Sequence, residues 1–360
     1  MLSGGPETGR LFTPGTVLPL RSAMYAVHAE STDPFFNLAL EETLFESMRP
    51  GHPGMLLAWR NEPSIIVGRH QNTAGEVNQE FCRRHGIRVV RRPTGGGAVY
   101  HDLGNINFSF LCWAEKNRIG GFEEYMRPMV RALREIGVDA EYTSRNDITV
   151  QGRKVAGTAQ MQKGRKMLHH GCLLVDVDFS MLGGALMADP EKFRSKGVDS
   201  HRARVANIRE FLPAGLTSGE CLELVTRSML KNCAGEAMPL DPAFVAEAER
   251  LADAKYRTWA WTWGNSPRYT EMRRRRFPWG RLEMFMDVRQ GIIRECRLCG
   301  DFFAARDITE LEGALAGKKA DAPSLRASLS SLPAESWFIG AEREPLMEFL
   351  CGSSEDSYLP

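Results

Sequence analysis

The first part of the chain combines apolar positions at helical spacing with short apolar runs that are typical of strands. Apolar side chains within residues 37–45 follow a possible N-cap at Asp33, and this pattern predicts a first helix. Residues 55–60 and 64–68 predict a pair of strands joined by an Asn-Glu-Pro turn. Residues 87–92 predict a further strand, which leads into a cluster of glycines.

Downstream, strand and helix patterns follow one another irregularly. Residues 105–113 alternate and predict a strand, and residues 122–136 have helical spacing. Residues 148–156 predict a hairpin around a Gln-Gly turn, and residues 171–177 predict another strand. The pattern predicts an α/β (α+β) fold with a mixed β-sheet flanked by helices. It is not a regular βαβ repeat, which disfavours a Rossmann interpretation of the glycines.

The last quarter of the chain predicts a second, smaller α/β domain. Residues 253–267 carry three of the seven tryptophans, at positions 259, 261 and 263, and this stretch is a candidate junction. Beyond it, residues 282–298 predict a hairpin and residues 308–316 a helix. We therefore expect a flexible leader at 1–24, a large domain at 25–264 and a small domain at 265–360.

Composition favours a globular enzyme. The chain of 360 residues is 43% hydrophobic, which is ample for two buried cores. Its net charge of +1 argues against a nucleic-acid partner, and no apolar run is long enough for a membrane span. Eight cysteines without a framework spacing indicate a reducing compartment, so we expect a cytoplasmic protein. Two arginines in the leader leave the mitochondrial matrix as the alternative.

The segment 91–110 is the clearest candidate for chemistry. It reads RRPTGGGAVYHDLGNINFSF and places two arginines, three glycines and a histidine between a β-branched run and an alternating apolar segment. Glycines let the backbone approach a ligand and present amide N–H groups, which suit an anionic phosphate or carboxylate. The arginines add positive charge. A plain structural loop is the alternative, because turns and bulges also need glycines.

Lys154 is the second candidate, on the return strand of the predicted hairpin. The segment 145–160 reads RNDITVQGRKVAGTAQ. A hairpin strand fixes an ammonium group better than a loop does, and Gly157 again permits a close approach of backbone. Most lysines are merely solvated, but Gly152, Gly157 and Ala159 are too small to be explained by core packing. The pattern favours a lysine directed at a buried anion.

Together these motifs resemble those of the lipoate-protein ligase A family. RRPTGGGAVYHD, RNDITVQGRKVAGTAQ, the triplet His169-His170-Gly171 and KGVDSHRARVANI occur in the family's order and at compatible spacings. The likeness begins at DPFFNLALEE, near Asp33, and continues through RTWAWTWGNSP and GDFF over most of the chain. It implies a catalytic domain related to biotin ligases and a C-terminal accessory domain, with the same division as above.

The resemblance implies an ATP-dependent ligase that, with Mg²⁺, activates lipoate as lipoyl-AMP and releases pyrophosphate. This chemistry brings a carboxylate and a triphosphate together, so cations and oriented N–H groups must offset their repulsion. Lys154 matches the family's catalytic lysine, which contacts the acid and the adenylate phosphate, and Asp147 would face the nucleotide or its Mg²⁺. The implied nucleotide and lipoyl-adenylate site comprises Arg92, Thr94, Gly95, Gly96, Gly97, Ala98, Val99, Tyr100, His101, Asn146, Asp147, Lys154, Gly157, Thr158, Ala159, His170 and Gly171.

The family's second half-reaction transfers the lipoyl group to a lysine of a carrier domain, such as 2-oxoacid dehydrogenase E2 or the glycine-cleavage H protein. It needs no enzyme nucleophile. Octanoyltransferases of this fold use a cysteine shortly before the catalytic lysine, whereas residues 141–147 read EYTSRND. Cys172 lies in an apolar run, which argues for burial.

Two other functions stay open as alternatives. One is a lipoyltransferase or octanoyltransferase that uses a preactivated acyl donor, and the other is a non-catalytic binder of lipoyl domains, in which Lys154 and the glycines would have no purpose. Four residues, Pro93, Thr94, Ala156 and Thr158, depart from the common family pattern. These departures leave the choice between lipoate and octanoate open.

Some conspicuous residues have structural interpretations. Cys296 and Cys299 form a CxxC, but strand residues three apart face opposite sides, which disfavours a metal chelate. The four arginines at 273–276 are expected to be solvated, with steering of an acidic carrier domain as the alternative. We expect His170 to pack or hydrogen-bond beside the adenylate, and the tryptophans near 261 to pack between domains.

Overall fold

A computed structural model describes residues 24–114, 121–143, 146–186, 205–264 and 269–352. Parts of four expectations lie outside these ranges: the leader up to residue 23, Arg145, residues 196–204 of the KGVDSHRARVANI motif, and residues 265–267 at the expected domain boundary. None of the helices in the described ranges combines the length and apolar character needed to cross a bilayer.

The described N-terminal part mixes strands and helices along the chain. Its strands are β1 (Met24–His28), β2 (Gly54–Trp59), β3 (Ser64–Val67), β4 (Arg88–Arg91), β5 (Val99–His101), β6 (Asn105–Trp113), β7 (Ala140–Thr143), β8 (Asp147–Val150), β9 (Arg153–Lys163) and β10 (Lys166–Leu174). Its helices are α1 (Pro34–Ser47), α2 (Thr73–Glu76), α3 (Gln79–Arg84), α4 (Phe122–Glu135), α5 (Phe179–Ala185), α6 (Ser218–Cys233), α7 (Pro242–Leu251) and α8 (Trp259–Thr262), with a 3₁₀ turn at Ile208–Phe211 and a π-helical turn at Ala252–Tyr256.

The described strands of this part form two sheets. A seven-stranded sheet has the order β1-β2-β6-β10-β9-β8-β7, and a small sheet has the order β4-β3-β5. In the large sheet β1 and β2 run parallel and the remaining pairs are antiparallel. The expected mixed sheet flanked by helices is confirmed. The strand predicted at 171–177 begins earlier, since β10 opens at Lys166.

The predicted pairing of β2 with β3 is wrong. β2 pairs with β1 and β6 in the large sheet, whereas β3 pairs with β4 and β5 in the small one. Every residue of both strands is buried, so each strand takes partners on both edges that are distant in sequence. The connection is tied to α1 through Asn37, whose Nδ2 donates to Arg60 O and to Asn61 Oδ1. The chain thus leaves one sheet and enters the other.

Helices cover both faces of the large sheet because successive strand residues point to opposite sides. Leu56 and Phe108 face a core that also contains residues of α4 and α6. Leu57 and Leu111 face a second core, shared with α1 and α7. α1 begins where the sequence predicts, since the Asp33 carboxylate accepts a backbone N–H of its first turn. This helix brings its buried face to the edge of the functional site.

The β8–β9 hairpin forms at the predicted Gln-Gly turn. Gln151 and Gly152 both have positive φ, 51° and 75°. This combination is the one that a two-residue type I′ turn requires. A bulge after Ile148 shifts the register, so that Thr149 pairs with Lys154. The turn and the bulge together set the direction of the Lys154 side chain.

The described C-terminal part has its own sheet and core. Its antiparallel strands are β11 (Glu271–Phe277), β12 (Gly280–Arg289) and β13 (Ile292–Gly300). Its helices are α9 (Ile308–Leu315), α10 (Ala322–Leu329) and α11 (Arg343–Cys351), with a 3₁₀ turn at Ala334–Trp337. Apolar residues of the sheet and helices form one cluster separate from the cores of the N-terminal part. The predicted hairpin and the predicted helix near 308 are confirmed.

The loop after β13 joins the two parts. Gly96 N donates to Phe302 O at 3.1 Å, and Gly300 N donates to His70 O at 2.9 Å. The Phe302 ring stacks on His70 with 5.0 Å between ring centroids. The glycine segment predicted to bind a ligand is therefore also a contact between the two parts.

Candidate functional site

A cavity of about 250 Å³ opens between the N-terminal and C-terminal parts. Its walls include the glycine segment, β9, β10 and residues around β11 and β13. Thirteen residues implicated by the sequence line it: Arg92, Gly96, Gly97, Ala98, Val99, His101, Asn146, Lys154, Gly157, Thr158, Ala159, His170 and Gly171. Segments far apart in the sequence thus converge on one site.

Four implicated residues lie behind or beside the cavity wall. Thr94 is buried, with 1% of its surface exposed. Gly95 packs against the C-terminal part, where an added Cβ would lie 2.4 Å from a backbone oxygen. Tyr100 packs in the core next to the small sheet, and burial raises its pKa. Asp147 forms an ion pair with a lysine that does line the cavity.

Arg92 lines the cavity, but its guanidinium holds the glycine loop in shape. Its Nη2 donates to the carbonyls of Gly95 and Gly97 at 2.7 and 2.8 Å. Its Nε donates to Thr94 Oγ1 and its Nη1 to Ile66 O, both at 3.0 Å. Burial lowers the pKa of Arg92 to about 10, so the side chain stays charged at neutral pH. The sequence suggested that this arginine supplies charge to the ligand, whereas its hydrogen bonds go to Ile66, Thr94, Gly95 and Gly97.

Arg91 is fully buried and has a similar bracing role. Its guanidinium donates to Gly68 O, Arg69 O, Gln71 O, Thr73 Oγ1, Trp261 O and Thr262 O. In return, the indole of Trp261 donates to Arg91 O at 2.8 Å. The tryptophan segment therefore packs on the strand that delivers the glycine loop.

A buried polar network that sequence reasoning missed positions His170. Its Nδ1 lies 2.8 Å from Glu41 Oε1, and its Nε2 lies 2.7 Å from Thr94 Oγ1. Ser109 Oγ donates to the same Glu41 oxygen. The network links α1, β6 and β10 to the glycine loop. The sequence could have indicated this network. Glu41 is a carboxylate at helical spacing among the apolar residues of the first helix, and a buried carboxylate needs a hydrogen-bond partner.

The other two histidines near the site are neutral. Burial, with Arg92 and His170 nearby, lowers the pKa of His101 to about 3. Its Nδ1 lies 3.2 Å from the amide nitrogen of Asn61, so Nδ1 accepts and the ring proton lies on Nε2. His169 lies in the core on the other face of β10, and burial lowers its pKa as well. Neither ring adds positive charge to the cavity at neutral pH.

Lys154 is positioned by its hairpin and by the absence of a neighbouring side chain. Its Nζ lies 2.8 Å from Asp147 Oδ1 on β8. A Cβ at Gly157 would lie 2.7 Å from that Nζ, so glycine is needed for the ammonium group to sit there. The side chain is 36% exposed, which leaves it accessible to a ligand in the cavity. The close approach expected at Gly157 is therefore made by the lysine itself.

Cys172 lines the cavity but lacks the character of a nucleophile. It is buried on β10, and burial raises the pKa of its thiol. A thiol of this kind is protonated at neutral pH, whereas nucleophilic cysteines react as thiolates. The burial expected from the apolar run around it is confirmed.

The C-terminal part adds residues that sequence reasoning did not assign to the cavity: Arg276, Gly280, Asp301 and Phe303. The prediction that residues 273–276 are solvated is wrong for Arg273, which is 3% exposed and donates to Leu350 O. Arg276 lines the cavity and pairs with Asp301 at 2.7 Å. Side chains three apart on β11 face opposite sides, which separates the two arginines.

Apolar side chains complete the walls of the cavity: Leu38, Trp59, Ile66, Val99 and Phe303. The polar part of the lining includes Lys154 and the glycine segment. A ligand with an apolar chain and an anionic head is complementary to such a site. This arrangement suits an acid whose carboxylate is to be joined to a phosphate.

Family models match both parts of the chain. The model described as Lipoyl protein ligase A/B catalytic domain matches residues 33–230, and the one described as Bacterial lipoate protein ligase C-terminus matches residues 266–350. The chain belongs to the lipoate-protein ligase family. The resemblance carried by the sequence motifs is confirmed.

Individual relatives of this lipoate-protein ligase family member agree. Lipoate-protein ligase 1 of Staphylococcus aureus is 39% identical over 319 residues, which span 89% of this chain and 97% of the relative. The bipartite lipoate protein ligase of Thermoplasma acidophilum is 30% identical, with a TM-score of 0.61 over 68% of this chain and 97% of that one. A lipoate-protein ligase A structure with bound ATP is 27% identical, with a TM-score of 0.58 over 68% and 99%.

Proposed function

We propose that this protein is an ATP-dependent lipoate-protein ligase that forms lipoyl-AMP and transfers the lipoyl group to a lysine of a carrier domain. The observation that carries the proposal is a single cavity in which Lys154, the glycine segment and an apolar wall meet. A relative with bound ATP and a Thermoplasma ligase studied with its E2 lipoyl domain support the two halves of the reaction.

In the first step a carboxylate oxygen of lipoate attacks the α-phosphorus of ATP, and pyrophosphate leaves. Lys154 lowers the repulsion between the carboxylate and the phosphate, because this cation lines the cavity. Backbone N–H groups of the glycine segment hold phosphate oxygens, apart from that of Gly96, which donates to Phe302 O. His101 offers its Nε2 proton as a neutral donor, since its pKa of about 3 keeps the ring uncharged.

The remaining implicated residues shape the adenylate pocket. Ala98, Val99, Asn146, Thr158, Ala159 and Gly171 form its surface, whereas Thr94, Gly95 and Tyr100 support the loop from behind. His170 holds the loop through Thr94, so it is a positioning residue rather than an acid or a base. This assignment follows from its two partners, Glu41 and Thr94, which occupy both ring nitrogens.

In the second step the amine of the acceptor lysine attacks the carbonyl carbon of lipoyl-AMP. An amide forms, AMP leaves with the electrons of the broken C–O bond, and the amine loses a proton. The mixed anhydride is reactive enough without an enzyme nucleophile, consistent with the protonated, buried Cys172. The acceptors are lipoyl carrier domains of 2-oxoacid dehydrogenase E2 or of the glycine-cleavage H protein.

Asp147 fits a role in holding Mg²⁺ with the nucleotide. Mg²⁺ in such sites is commonly bound through one or two carboxylates together with substrate phosphates. Asp147 lies at the edge of the cavity, a third of its side chain is exposed (33%), and one oxygen pairs with Lys154. When bound, Mg²⁺ would neutralise part of the triphosphate charge.

The chain divides into a leader at 1–24, a catalytic domain at 25–264 and an accessory domain at 265–360. The separate apolar core of the C-terminal part and the boundary between the two family models support this division. A cytoplasmic location fits the eight free cysteines and the bacterial relatives, with the mitochondrial matrix as the alternative. Fractionation of cells that express the full chain tests the location.

The decisive experiment measures pyrophosphate release from the purified protein with ATP, Mg²⁺ and lipoate. Parallel reactions contain octanoate, or no acid. Lipoate-dependent release is expected. Silence from a folded protein that still transfers from synthetic lipoyl-AMP would instead identify a transferase that requires a preactivated donor.

Lys154→Ala is expected to abolish pyrophosphate release while the circular dichroism spectrum stays unchanged. The variant removes the ammonium group from the cavity but leaves the hairpin intact. Lys163→Ala is the matched control, because Lys163 lies on the same strand with 69% of its side chain exposed. Near wild-type turnover by Lys154→Ala would contradict the site assignment.

A further inference from the structure

Arg276 lines the cavity from the accessory part, and it is more exposed than Arg92 and Lys154, which line the same cavity. It lies near the end of β11, and its side chain is 50% exposed. Among the residues that the structure describes, its guanidinium hydrogen-bonds to Asp301 alone, through Nη1 at 2.7 Å. A guanidinium has five N–H donors, so others remain for an anion.

Asp301 fixes Arg276 beside the glycine loop. The Asp301 carboxylate also accepts the backbone N–H of Arg281, which anchors it to β12. Burial opposes ionisation, but the Arg281 amide and Arg276 lower the pKa of Asp301 overall. A Cβ at Gly97 would lie 3.8 Å from Asp301 Cβ, so this ion pair faces the loop directly.

Two other permanent cations line the described cavity, Arg92 and Lys154. Arg92 donates to three backbone carbonyls and to Thr94. Lys154 is paired with Asp147, and its role in the proposed reaction is to bring the carboxylate and the α-phosphate together. A triphosphate brings several negative charges into the cavity, and only part of that charge remains once pyrophosphate has left. A further cation is therefore needed most in the first half-reaction.

We propose that Arg276 binds the phosphates of ATP that leave as pyrophosphate. The proposal rests on the proposed ligase function and adds a residue of the accessory domain to its first step. As the carboxylate oxygen bonds to the α-phosphorus, the bond from that phosphorus to the bridging oxygen breaks, and its electron pair stays on pyrophosphate. Arg276 stabilises this charge. In the second step AMP leaves, and the arginine has no ligand to hold.

The test separates the two half-reactions in Arg276→Met. Removing a charged hydrogen bond is expected to lower kcat/KM for ATP in pyrophosphate release by about 10- to 100-fold. Transfer from synthetic lipoyl-AMP to a lipoyl domain is expected to keep its wild-type rate. Arg276→Lys, which keeps the charge but not the fork of donors, is expected to recover part of the loss.

Arg275→Met is the control, because Arg275 is the preceding residue of the strand and is not among the residues that line the cavity. Its guanidinium pairs with Glu348, with 3.5 Å between Nη1 and Oε2. It is expected to match wild type in both assays. Wild-type ATP dependence in Arg276→Met overturns the proposal, and so does an equal loss in transfer, which would place the arginine on the adenylate instead. Absence of pyrophosphate release by the wild-type protein would contradict the proposed ligase function itself. The wild-type assay alone shows this, so it is distinguishable from a failure of the Arg276 proposal.

Discussion

At the residue scale, the site depends on small distances set by glycines and buried charges. Gly157 leaves room for an ammonium group, and Arg92 holds two carbonyls of the glycine loop. Sequence patterns identified Lys154 and the glycines, because their spacing is local. They did not identify Glu41 or Asp301, since the partners of these carboxylates lie far away in the sequence.

Gly157→Ala is expected to reduce pyrophosphate release about 10- to 100-fold with little change in stability. The new methyl group would displace the Lys154 ammonium group by about an ångström, and a misplacement of that size lowers the rate of a reaction that depends on a positioned group. The clash is with a flexible side chain, so the fold adapts. Gly183→Ala is the control, because a Cβ there meets nothing within 4 Å. Activity of Gly157→Ala equal to that control would show that the position of Nζ does not matter.

At the element scale, the sequence predicted helix caps and turns better than it predicted which strands pair. The Asp33 cap fixes the start of α1, and Gln151-Gly152 fixes the site hairpin, both as predicted; the hairpin predicted at 282–298 also forms, around Gln290-Gly291. The prediction that β2 pairs with β3 was wrong, because both strands are buried throughout and their actual partners lie up to about fifty residues away in the sequence. The register of the site hairpin was not predicted either, since nothing in the sequence announces the bulge after Ile148.

Gln151→Asn is expected to stabilise the protein by about 0.5–1 kcal/mol, because asparagine tolerates positive φ better than glutamine and Asn-Gly is the preferred type I′ pair. Gln290→Asn offers a matched site, with φ of 52° before Gly291 in the accessory part. Urea unfolding of both variants gives the measurement. A lower midpoint for either one would argue against the type I′ assignment at that turn.

At the scale of the whole molecule, the cavity exists only where the two parts meet. Arg276, Asp301 and Phe303 are contributed by a part with a separate core. The sequence could not predict this meeting point, because GDFF carries no local signal for a contact with glycines two hundred positions earlier. Because both parts line one site, its geometry depends on how the two parts pack against each other.

Buried neutral histidines make the whole protein less stable in mild acid. His101 has a pKa of about 3 when folded and near 6.5 when unfolded. Between these values the unfolded chain binds a proton that the folded chain does not, so the free energy of unfolding falls as pH falls, by up to about 1.4 kcal/mol per pH unit for each such group. Above pH 6.5 this contribution is fully present.

His169→Gln is expected to reduce the pH dependence of unfolding below pH 6.5, because burial lowers the pKa of His169 in the same direction and the variant removes the group. His28→Gln, at an exposed position, is the control. Urea unfolding at intervals between pH 5 and pH 7 provides the slopes. An unchanged slope in His169→Gln would mean that folding does not shift the pKa of this imidazole.

The bonds from Arg92 to the carbonyls of Gly95 and Gly97 also decide which way the loop's amide dipoles point. In a planar trans peptide, the N–H of the following residue points opposite to the carbonyl. The N–H groups of Gly96 and Ala98 are therefore turned away from the guanidinium, and that of Gly96 meets Phe302 O on the far side. A cation placed behind the loop thus turns the positive ends of these peptide dipoles away from itself, so a charge that stays inside the protein sets the direction of the loop's dipoles.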